Sequence, residues 1–382
     1  MSGTQLLTNA VLIVFAVDLV LLSSLIVGKG IHRRRQEGRE RRRVAYLELL
    51  SRQLSDPDQP LNLGPHVAED QAFLDALIDV RNSVVGPESD ALSQVVDRFG
   101  VMERYAKRLG GRRWGLLTRR LHAAVALAEV ADSSWAPALM SHLSDPEPEI
   151  RIQAARGLGR MRWTPAIDAI VSRFAEETPW VRARFADTLV NFGSKATWPL
   201  LAYIKVNQRF ETSGPAAAIR TLATIGDDQA VKSLIELLDE AVDPEIQIAT
   251  IEALGLLGNP VSIGSLKRAN SDPDWRLRAK SATALGATAD PTVIPTLSSG
   301  LMDPNWWVRR NSAAALARVP RGIPELYAAI RSTDPYARDA AAEALADAGE
   351  IIAARRRLED GDATSDDVSL VSFIESELAV SG

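Results

Sequence analysis

Residues 303–316 read DPNWWVRRNSAAAL, a polar turn followed by an amphipathic helix rich in alanine. Arg309 and Leu316 are seven residues apart, so they lie on one face of that helix, with Ser312 and Ala313 between them. Small side chains in the middle of this face allow a neighbouring helix to approach closely, and the leucine fills the space beside them. A single helix of this kind cannot bury its apolar face and needs similar neighbours.

The same pattern recurs along most of the chain at a nearly fixed spacing. An arginine precedes a leucine by seven residues in six copies, and two further copies keep the leucine with Pro215 or Gln247 in place of the arginine. The leucines, called the ruler leucines below, are Leu127, Leu158, Leu189, Leu222, Leu254, Leu285, Leu316 and Leu345. They are separated by 31, 31, 33, 32, 31, 31 and 29 residues. A period in this range indicates stacked structural repeats. Position 0 denotes the residue seven places before each ruler leucine.

Turn signals divide each repeat into two helices. Asp-Pro dipeptides precede five of the marked helices, at residues 145–146, 243–244, 272–273, 303–304 and 334–335. Proline is tolerated in the first helical turn, and aspartate caps the free backbone donors there. Glycines follow four ruler leucines by four residues, a position typical of helix C-caps: Gly193, Gly226, Gly258 and Gly349. With another apolar run before each turn, every repeat is predicted to be helix, turn, helix.

These units resemble HEAT repeats, most closely the short variety of about 30 residues found in bacterial proteins and in bilin-lyase-like proteins. The resemblance extends from about Gly110 to Gly349. It implies an all-α solenoid of about eight helical hairpins that binds something along one surface. Solenoids of this kind have many unrelated functions, so the resemblance alone does not identify one.

The start of the chain has the pattern of a membrane anchor. Residues 6–28 contain one charged residue, Asp18, and about 20 apolar residues suffice to span a bilayer. No positive n-region or small-residue cleavage site marks a signal peptide. Residues 29–43 then hold eight lysines and arginines and two glutamates, and such a basic flank stays in the cytoplasm. The prediction is a single-pass plasma-membrane protein with its N-terminus outside and its repeats in the cytoplasm.

The charged residues at this end have predicted roles of their own. Asp18 is near the middle of the span, where a carboxylate is costly. It either pairs with a polar group of a partner's membrane helix or stays protonated or hydrated without a function. Anionic lipid headgroups are the predicted ligands of six arginines, namely Arg33, Arg34, Arg35, Arg41, Arg42 and Arg43.

The sequence predicts five segments. They are a transmembrane anchor (1–30), a basic juxtamembrane helix and linker (31–65), a helical N-terminal cap (66–109), the repeat solenoid (110–349) and a C-terminal helical cap or tail (350–382). Residues 207–214 lengthen one turn, which indicates either a change of curvature or a loop that contacts a partner. Residues 360–367 are polar and acidic and are predicted to be mobile. The helix after them either caps the solenoid or docks in a partner's groove.

The sequence contains no recognisable catalytic set. It has no cysteine and four histidines, and no His-Glu dipeptide of the kind a HEAT-type metal hydroxylase would need. It also lacks a P-loop and a nucleophile elbow. We therefore expect no enzyme activity, metal, cofactor or small-molecule substrate. A bilin-lyase-like or other HEAT-repeat enzyme is the alternative. A DNA-binding solenoid is disfavoured because the chain outside the basic flank is acidic, and no nucleic-acid partner is expected.

The position 0 arginines share a face with buried residues. Their stems are predicted to lie along the seam between repeats while the guanidinium reaches a carboxylate or carbonyl of the adjacent turn. A row of arginines facing a ligand is the alternative. Trp275 and Trp306, at position −3, are expected to pack against the same seam.

The predicted partner-binding residues lie on the opposite face of the second helices, at positions −2, +2 and +5. The resemblance implies that second helices line the concave side of the stack, although the convex side could also bind. The candidates are Trp180, Arg184, Asp187, Lys280, Trp307 and Asn311. Tryptophan and arginine often anchor protein interfaces. The two tryptophan rings could instead fold over their turns and pack locally. The expected partner is a protein, most simply an integral membrane protein.

Overall fold

The computed structural model describes residues 29, 33–34, 36–56, 63, 67, 70–84, 92, 96, 100–111 and 117–381, with side chains as far as residue 376. The chain divides into two compact units, Met1–Met161 and Arg162–Gly382. The described residues form helices and turns and contain no strand. The predicted all-α class is therefore confirmed.

The first unit contains six helices in its described part. They are α1 (residues 36–55), α2 (Gln71–Ser83), α3 (Val101–Leu109), α4 (Leu117–Val130), α5 (Ala136–Met140) and α6 (Pro148–Arg160). Asp70 caps α2, which buries Phe73, Leu74 and Leu77. Helix α4 contacts α2, α3, α5 and α6. The helices that precede the repeats thus cover α4, the first helix that carries a ruler leucine.

Ion pairs fasten α1 to α2. Arg42 Nε lies 2.9 Å from an Asp70 carboxylate oxygen, and Arg43 Nη2 lies 2.6 Å from Asp79. The rings of Tyr46 and Phe73 meet edge to face with 5.3 Å between their centroids. Residues 36–43 of the basic flank therefore belong to α1, which packs against α2.

The second unit consists of alternating first and second helices of the repeats, followed by two terminal helices. The first helices are α7 (Ala166–Ser172), α9 (Thr197–Asn207), α11 (Val231–Glu240), α13 (Ile263–Ala269), α15 (Ile294–Gly300) and α17 (Ile323–Ile330). The second helices are α8 (Pro179–Phe192), α10 (Ser213–Ile225), α12 (Pro244–Leu257), α14 (Trp275–Ala287), α16 (Trp306–Arg318) and α18 (Pro335–Asp347). The terminal helices are α19 (Glu350–Asp360) and α20 (Ser365–Ser381). Each second helix from α8 to α16 contacts the next second helix directly.

All eight ruler leucines have 0 % exposure, which confirms the register predicted from the period. Small residues beside them bring neighbouring second helices close together. A Cβ atom added to Gly286 would lie 2.6 Å from Ala315 Cβ, and one added to Gly255 would lie 2.9 Å from Ala284 Cβ. At these two positions glycine is needed because the adjacent helix occupies the space of a side chain.

The turns follow the sequence signals with one systematic difference. Asp243 and Asp334 cap helices that begin at the next proline, as predicted. Helices α14 and α16 instead begin two residues beyond their prolines, because Asp274 and Asn305 supply the N-cap. In those turns the preceding aspartate accepts the backbone N–H of the capping residue, as Asp303 does from Asn305 at 2.8 Å. The predicted C-cap glycines all have positive φ.

Asp367, the last residue of the segment predicted to be mobile, is buried. This side chain is 1 % exposed and accepts hydrogen bonds from the Thr364 backbone N–H and from Arg357. The Arg357 hydrogen bond is the main reason that the pKa of Asp367 lies well below its ordinary value. Helix α20 contacts α17 and α19 and buries Leu370 completely. The described part of this segment thus folds back on the last repeat as a cap.

The predicted membrane anchor lies almost wholly outside the described residues. Residues 6–28, including Asp18, are not among them. Within the residues that are described, no helix combines the length and apolar character needed to cross a bilayer.

We predict that Leu254→Ala and Leu316→Ala each lower the free energy of unfolding by about 2–5 kcal/mol, because each leaves a cavity in a close-packed seam. Chemical denaturation followed by circular dichroism measures this. The exposed neighbour Leu256 is the matched control, and Leu256→Ala should change stability by less than about 0.5 kcal/mol. Equal effects at Leu254 and Leu256 would show that the assigned register is wrong.

Candidate partner-binding face

Four of the position 0 arginines bind the turn that precedes their own helix, namely Arg151, Arg182, Arg278 and Arg309. Arg278 Nη1 donates to the carbonyls of Asp272 and Pro273 at 2.9 and 3.0 Å. Arg309 makes the same two contacts, at 2.7 Å to Asp303 O and 3.1 Å to Pro304 O. These bonds pair turn carbonyls that helical geometry leaves free. The interpretation of these four arginines as structural is confirmed.

Some of these side chains also reach the turn of the following repeat. Arg278 holds both carboxylate oxygens of Asp303, at 2.7 and 3.0 Å. Burial alone would raise the pKa of Asp303, but the hydrogen bonds from Arg278 and from the Asn305 backbone N–H outweigh it, and the pKa is below its ordinary value. In the first unit Arg120 Nη2 donates to one carboxylate oxygen of Asp145. Consecutive turns are therefore tied together by charge-assisted hydrogen bonds.

Three of the predicted partner-binding residues lie together on α8. Trp180 is 50 % exposed and stands in the first turn of the helix. Arg184 and Asp187 are exposed, and Arg184 Nη1 lies 3.4 Å from an Asp187 carboxylate oxygen. A pair this exposed and this long contributes little to stability. All three side chains remain accessible to a partner.

Two other predicted residues, Lys280 and Asn311, are engaged within the fold. Lys280 Nζ lies 2.5 Å from Glu252, which joins α14 to α12. Asn311 Nδ2 donates to the carbonyl of Ala279 at 3.0 Å, which joins α16 to α14. Sequence positions place both on the expected face, but their polar groups link neighbouring second helices as well.

Trp307 belongs to a larger group of exposed rings at the start of three consecutive second helices. We name Trp275, Trp306, Trp307 and Tyr336 the aromatic patch. The expectation that Trp275 and Trp306 pack in the seam is wrong, since both are exposed. Each is the first residue of its helix, because the N-cap lies one place before it. Its ring therefore lies beside the turn and not between the packed helices.

Shallow grooves flank the predicted face. The groove between α8 and α10 has a volume of roughly 440 Å³ and includes Asp187 and Arg220 in its lining. The groove between α16 and α18 has a volume of roughly 230 Å³ and includes Asn311 and Glu343. Among the described residues, no group of three or more histidine, aspartate and glutamate side chains is placed to hold a metal ion.

Five of the six arginines predicted to meet the membrane are among the described residues. Arg33, Arg34 and Arg41 are exposed, and Arg33 pairs with Glu37 at 2.9 Å. Arg42 and Arg43 bind carboxylates of α2, as described above. Arg35 and Asp18 lie outside the described residues.

The sequence prediction missed Tyr336 and Arg310 as members of this face. Arg310 lies over the ring of Trp306, with its Cζ atom 5.5 Å from the ring centroid, and pairs with Glu343 at 2.8 Å. Tyr336 occupies position −2, like Trp180 and Trp307, so comparing equivalent positions in all repeats would have found it.

Comparison with known proteins agrees with this architecture. Residues 118–190, 199–278 and 265–346 match the family model for HEAT repeats. These matches cover more than half of the sequence, so the chain belongs to the HEAT-repeat family. No curated protein matches the chain in sequence.

Solved structures share the fold at low sequence identity. One is the karyopherin Kap121p bound to the extreme C-terminus of the protein phosphatase Cdc14p, with 12% identity over 88% of this chain and 42% of that chain and a TM-score of 0.52. Kap121p bound to Ste12p gives 13% identity, the same coverage of 88% and 42%, and a TM-score of 0.53. The CpcE–CpcF complex of phycocyanin lyase from Nostoc sp. PCC7120 gives 20% identity over 63% of this chain and 94% of that chain, with a TM-score of 0.33. This chain spans less than half the length of the karyopherin chains. The karyopherin matches show a solenoid-like HEAT fold.

Proposed function

We propose that this protein is a scaffold that holds a protein partner on the exposed face of the second helices of Arg162–Gly382. The observation that carries the proposal is the exposure of Trp180 and Trp307, about half of each side chain, at equivalent positions of two repeats. Large apolar rings exposed beside polar and charged groups are typical of interface anchors. Arg184 and Asp187 supply the polar rim beside Trp180.

The stack beneath these residues supports the proposal because it fixes their backbone. The ruler leucines are buried, and the turn that leads to Trp307 is held by Arg309 and Arg278 through hydrogen bonds. A rigid surface loses little conformational entropy when it binds, so more of the contact energy appears as affinity. A set of anchors on helix N-termini therefore suits a scaffold.

The karyopherin structures illustrate this use of the fold. Kap121p is bound to the C-terminus of Cdc14p in one structure and to Ste12p in another. The similarity to this chain extends only to the fold, and it supports the proposal by example. We assign this protein no catalytic step.

We further propose that the scaffold acts at the plasma membrane as an accessory subunit of a membrane protein. The apolar residues 6–28 and the basic residues after them motivate this proposal. Anionic headgroups would contact Arg33, Arg34, Arg35 and Arg41. Arg42 and Arg43 would contact both the headgroups and the carboxylates of Asp70 and Asp79. Asp18 would pair with a polar group on a membrane helix of the partner.

We predict that Trp307→Ala and Arg184→Glu each lower recovery of the co-purified partner by about tenfold or more, as loss of an interface anchor does. Quantitative mass spectrometry of the affinity-purified protein measures the recovery. Trp198→Ala and Lys232→Glu are matched controls on exposed sites of first helices and should leave it unchanged. Thermal melts followed by circular dichroism should be the same for all four variants. Retention of the partner by both Trp307→Ala and Arg184→Glu, or melting of the fold by Trp307→Ala, would contradict the assigned face.

The membrane orientation has a separate test. Protease added to intact spheroplasts should leave the repeats uncut, and the same protease should cut them after the membrane is opened with detergent. Cleavage beyond Val44 in intact spheroplasts would show that the proposed orientation is wrong. Recovery of the protein in the soluble fraction would remove the anchor from the proposal but leave the binding face.

A further inference from the structure

A groove runs between the first helices α9 and α11 and continues between the turns that follow them. It consists of a cavity of roughly 300 Å³ between the two helices and a cavity of roughly 610 Å³ between the two turns. Gln208 and Glu240 line both cavities, so the two are continuous. We name this surface the first-helix groove. It is formed by different helices from those of the face proposed above.

The first-helix groove is apolar along its length and has an exposed ring in each cavity. Trp198, near the start of α9, is 60% exposed, and Phe210, in the turn after α9, is 82% exposed. Val242 lines the same cavity as Phe210 and is 93% exposed. Further apolar side chains of both helices line the groove near Trp198, namely Leu201, Ala202, Ile204 and Leu237. Contiguous apolar surface of this kind marks interaction sites.

The two sides of the groove carry opposite charges. Lys205 and Arg209 line the side formed by α9 and its turn, and Glu236 and Glu240 line the side formed by α11. Each pair is spaced four residues apart, and all four side chains are exposed. None of the four forms an ion pair with any residue that the structure describes. These charges are therefore free to pair with a ligand.

The two other carboxylates of the lining are hydrogen-bonded within the turns. Glu211 accepts from the hydroxyl of Tyr203 at 3.0 Å and from the backbone N–H of Gly214 at 2.9 Å. Asp243 accepts from Thr212 at 2.8 Å and from backbone N–H groups of α12. The side formed by α9 thus keeps a net positive charge, and the side formed by α11 is acidic throughout.

Opposite charges on the two sides favour a helical ligand. An α-helix carries side chains all round its axis, so it can place an apolar stripe in the groove and a charged flank against each side. An extended segment has side chains on two opposite faces only, so its backbone would meet the charged sides. The part of α9 from Trp198 to Asn207 is about 14 Å long at about 1.5 Å per residue. With the turns included, the groove accommodates about three turns of a helix.

We propose that the first-helix groove binds an amphipathic helix of a protein partner, whose apolar stripe has acidic residues on one flank and basic residues on the other. The acidic flank would face Lys205 and Arg209, and the basic flank would face Glu236 and Glu240. The charges also set the direction of the bound helix, because reversing it would put each flank against a side of its own sign. The inference goes beyond the proposed function, since it assigns a second surface.

The test compares three peptides of about 15 residues that share one apolar stripe of helical period. The mixed peptide has glutamates on one flank and lysines on the other, whereas the two control peptides have glutamates on both flanks or lysines on both. Each is titrated into the whole chain and followed by calorimetry, and circular dichroism checks that the free peptides are equally helical. The mixed peptide should bind at least about fivefold more tightly than either control, because each control meets one side of its own charge.

Substitutions in the groove test the ring and the charges separately. Trp198→Ala should weaken the mixed peptide by about fivefold or more, whereas Trp307→Ala, its matched control on a second helix, should not. Combining Lys205→Glu with Arg209→Glu makes both sides acidic, so the peptide with two lysine flanks should become the tightest binder. Lys232→Glu is the matched charge reversal on α11 outside the lining of both cavities, and it should leave the order unchanged.

Equal binding of the three peptides, no binding of the mixed peptide, unchanged affinity in Trp198→Ala, or an unchanged order in the double variant would overturn the inference. Binding of anionic lipid vesicles without binding of any peptide would do so too, because the groove would then be a membrane contact. Self-association of the chain that Trp198→Ala abolishes would make the occupant a second copy and would also overturn it. The peptide comparison uses the unsubstituted protein, so unfolding of a variant cannot decide it. Recovery of the partner on the second helices is tested with Trp307 and Arg184, so the proposed function and this inference fail independently.

Discussion

The bond between the position 0 side chain and the turn before it is the interaction on which the repeats depend. Arg278 pairs the carbonyls of Asp272 and Pro273 and, with the other side of its guanidinium, the carboxylate of Asp303. One planar group thus closes the turn of its own repeat and fixes the turn of the next. Arginine suits this task because its donors point in fixed, forked directions. The first residues of α14 and α16, which include Trp275, Trp306 and Trp307, directly follow turns held in this way.

Repeats without the arginine keep a similar link by other means. Gln247 donates from Nε2 to the carbonyl of Ala241, six residues earlier, at 3.0 Å. Pro215 has no such donor, and in that repeat Thr212 instead donates to the carboxylate of Asp243 at 2.8 Å. This hydrogen bond is the main reason that the pKa of Asp243 is lowered. The expectation that this turn is lengthened is wrong, because it comprises residues 208–212 and is as long as the turns before α14 and α16. The turn stays tied to the next repeat, although its Phe210 ring is exposed.

Features that depend on the spacing of residues within one helix could be predicted from the sequence. Features that depend on which of two residues caps a helix, or on contacts between distant residues, could not. The ruler leucines were predictable because seven-residue spacing puts them on one helical face. The exposure of Trp275 and Trp306 could not be predicted, because each turn contains two residues that can cap the helix. The later of the two, Asp274 or Asn305, is the N-cap in the structure. The burial of Asp367 requires Arg357 and Tyr327, which only the folded chain brings to it. In the candidate site, exposure of Trp180 and Trp307 followed from position, whereas the bond from Asn311 to Ala279 needed the packing of two helices.

A double-mutant cycle on Arg278 and Asp303 tests most directly whether bonds between turns hold the repeats together. Free energies of unfolding would be measured for Arg278→Ala, Asp303→Ala and the double variant. The coupling energy should be about 1–3 kcal/mol, because the pair is largely buried and bonded through two oxygens. The exposed pair Arg184 and Asp187 provides the matched cycle, with an expected coupling below about 0.5 kcal/mol. A coupling between Arg278 and Asp303 as small as that of the exposed pair would contradict the central role of these bonds.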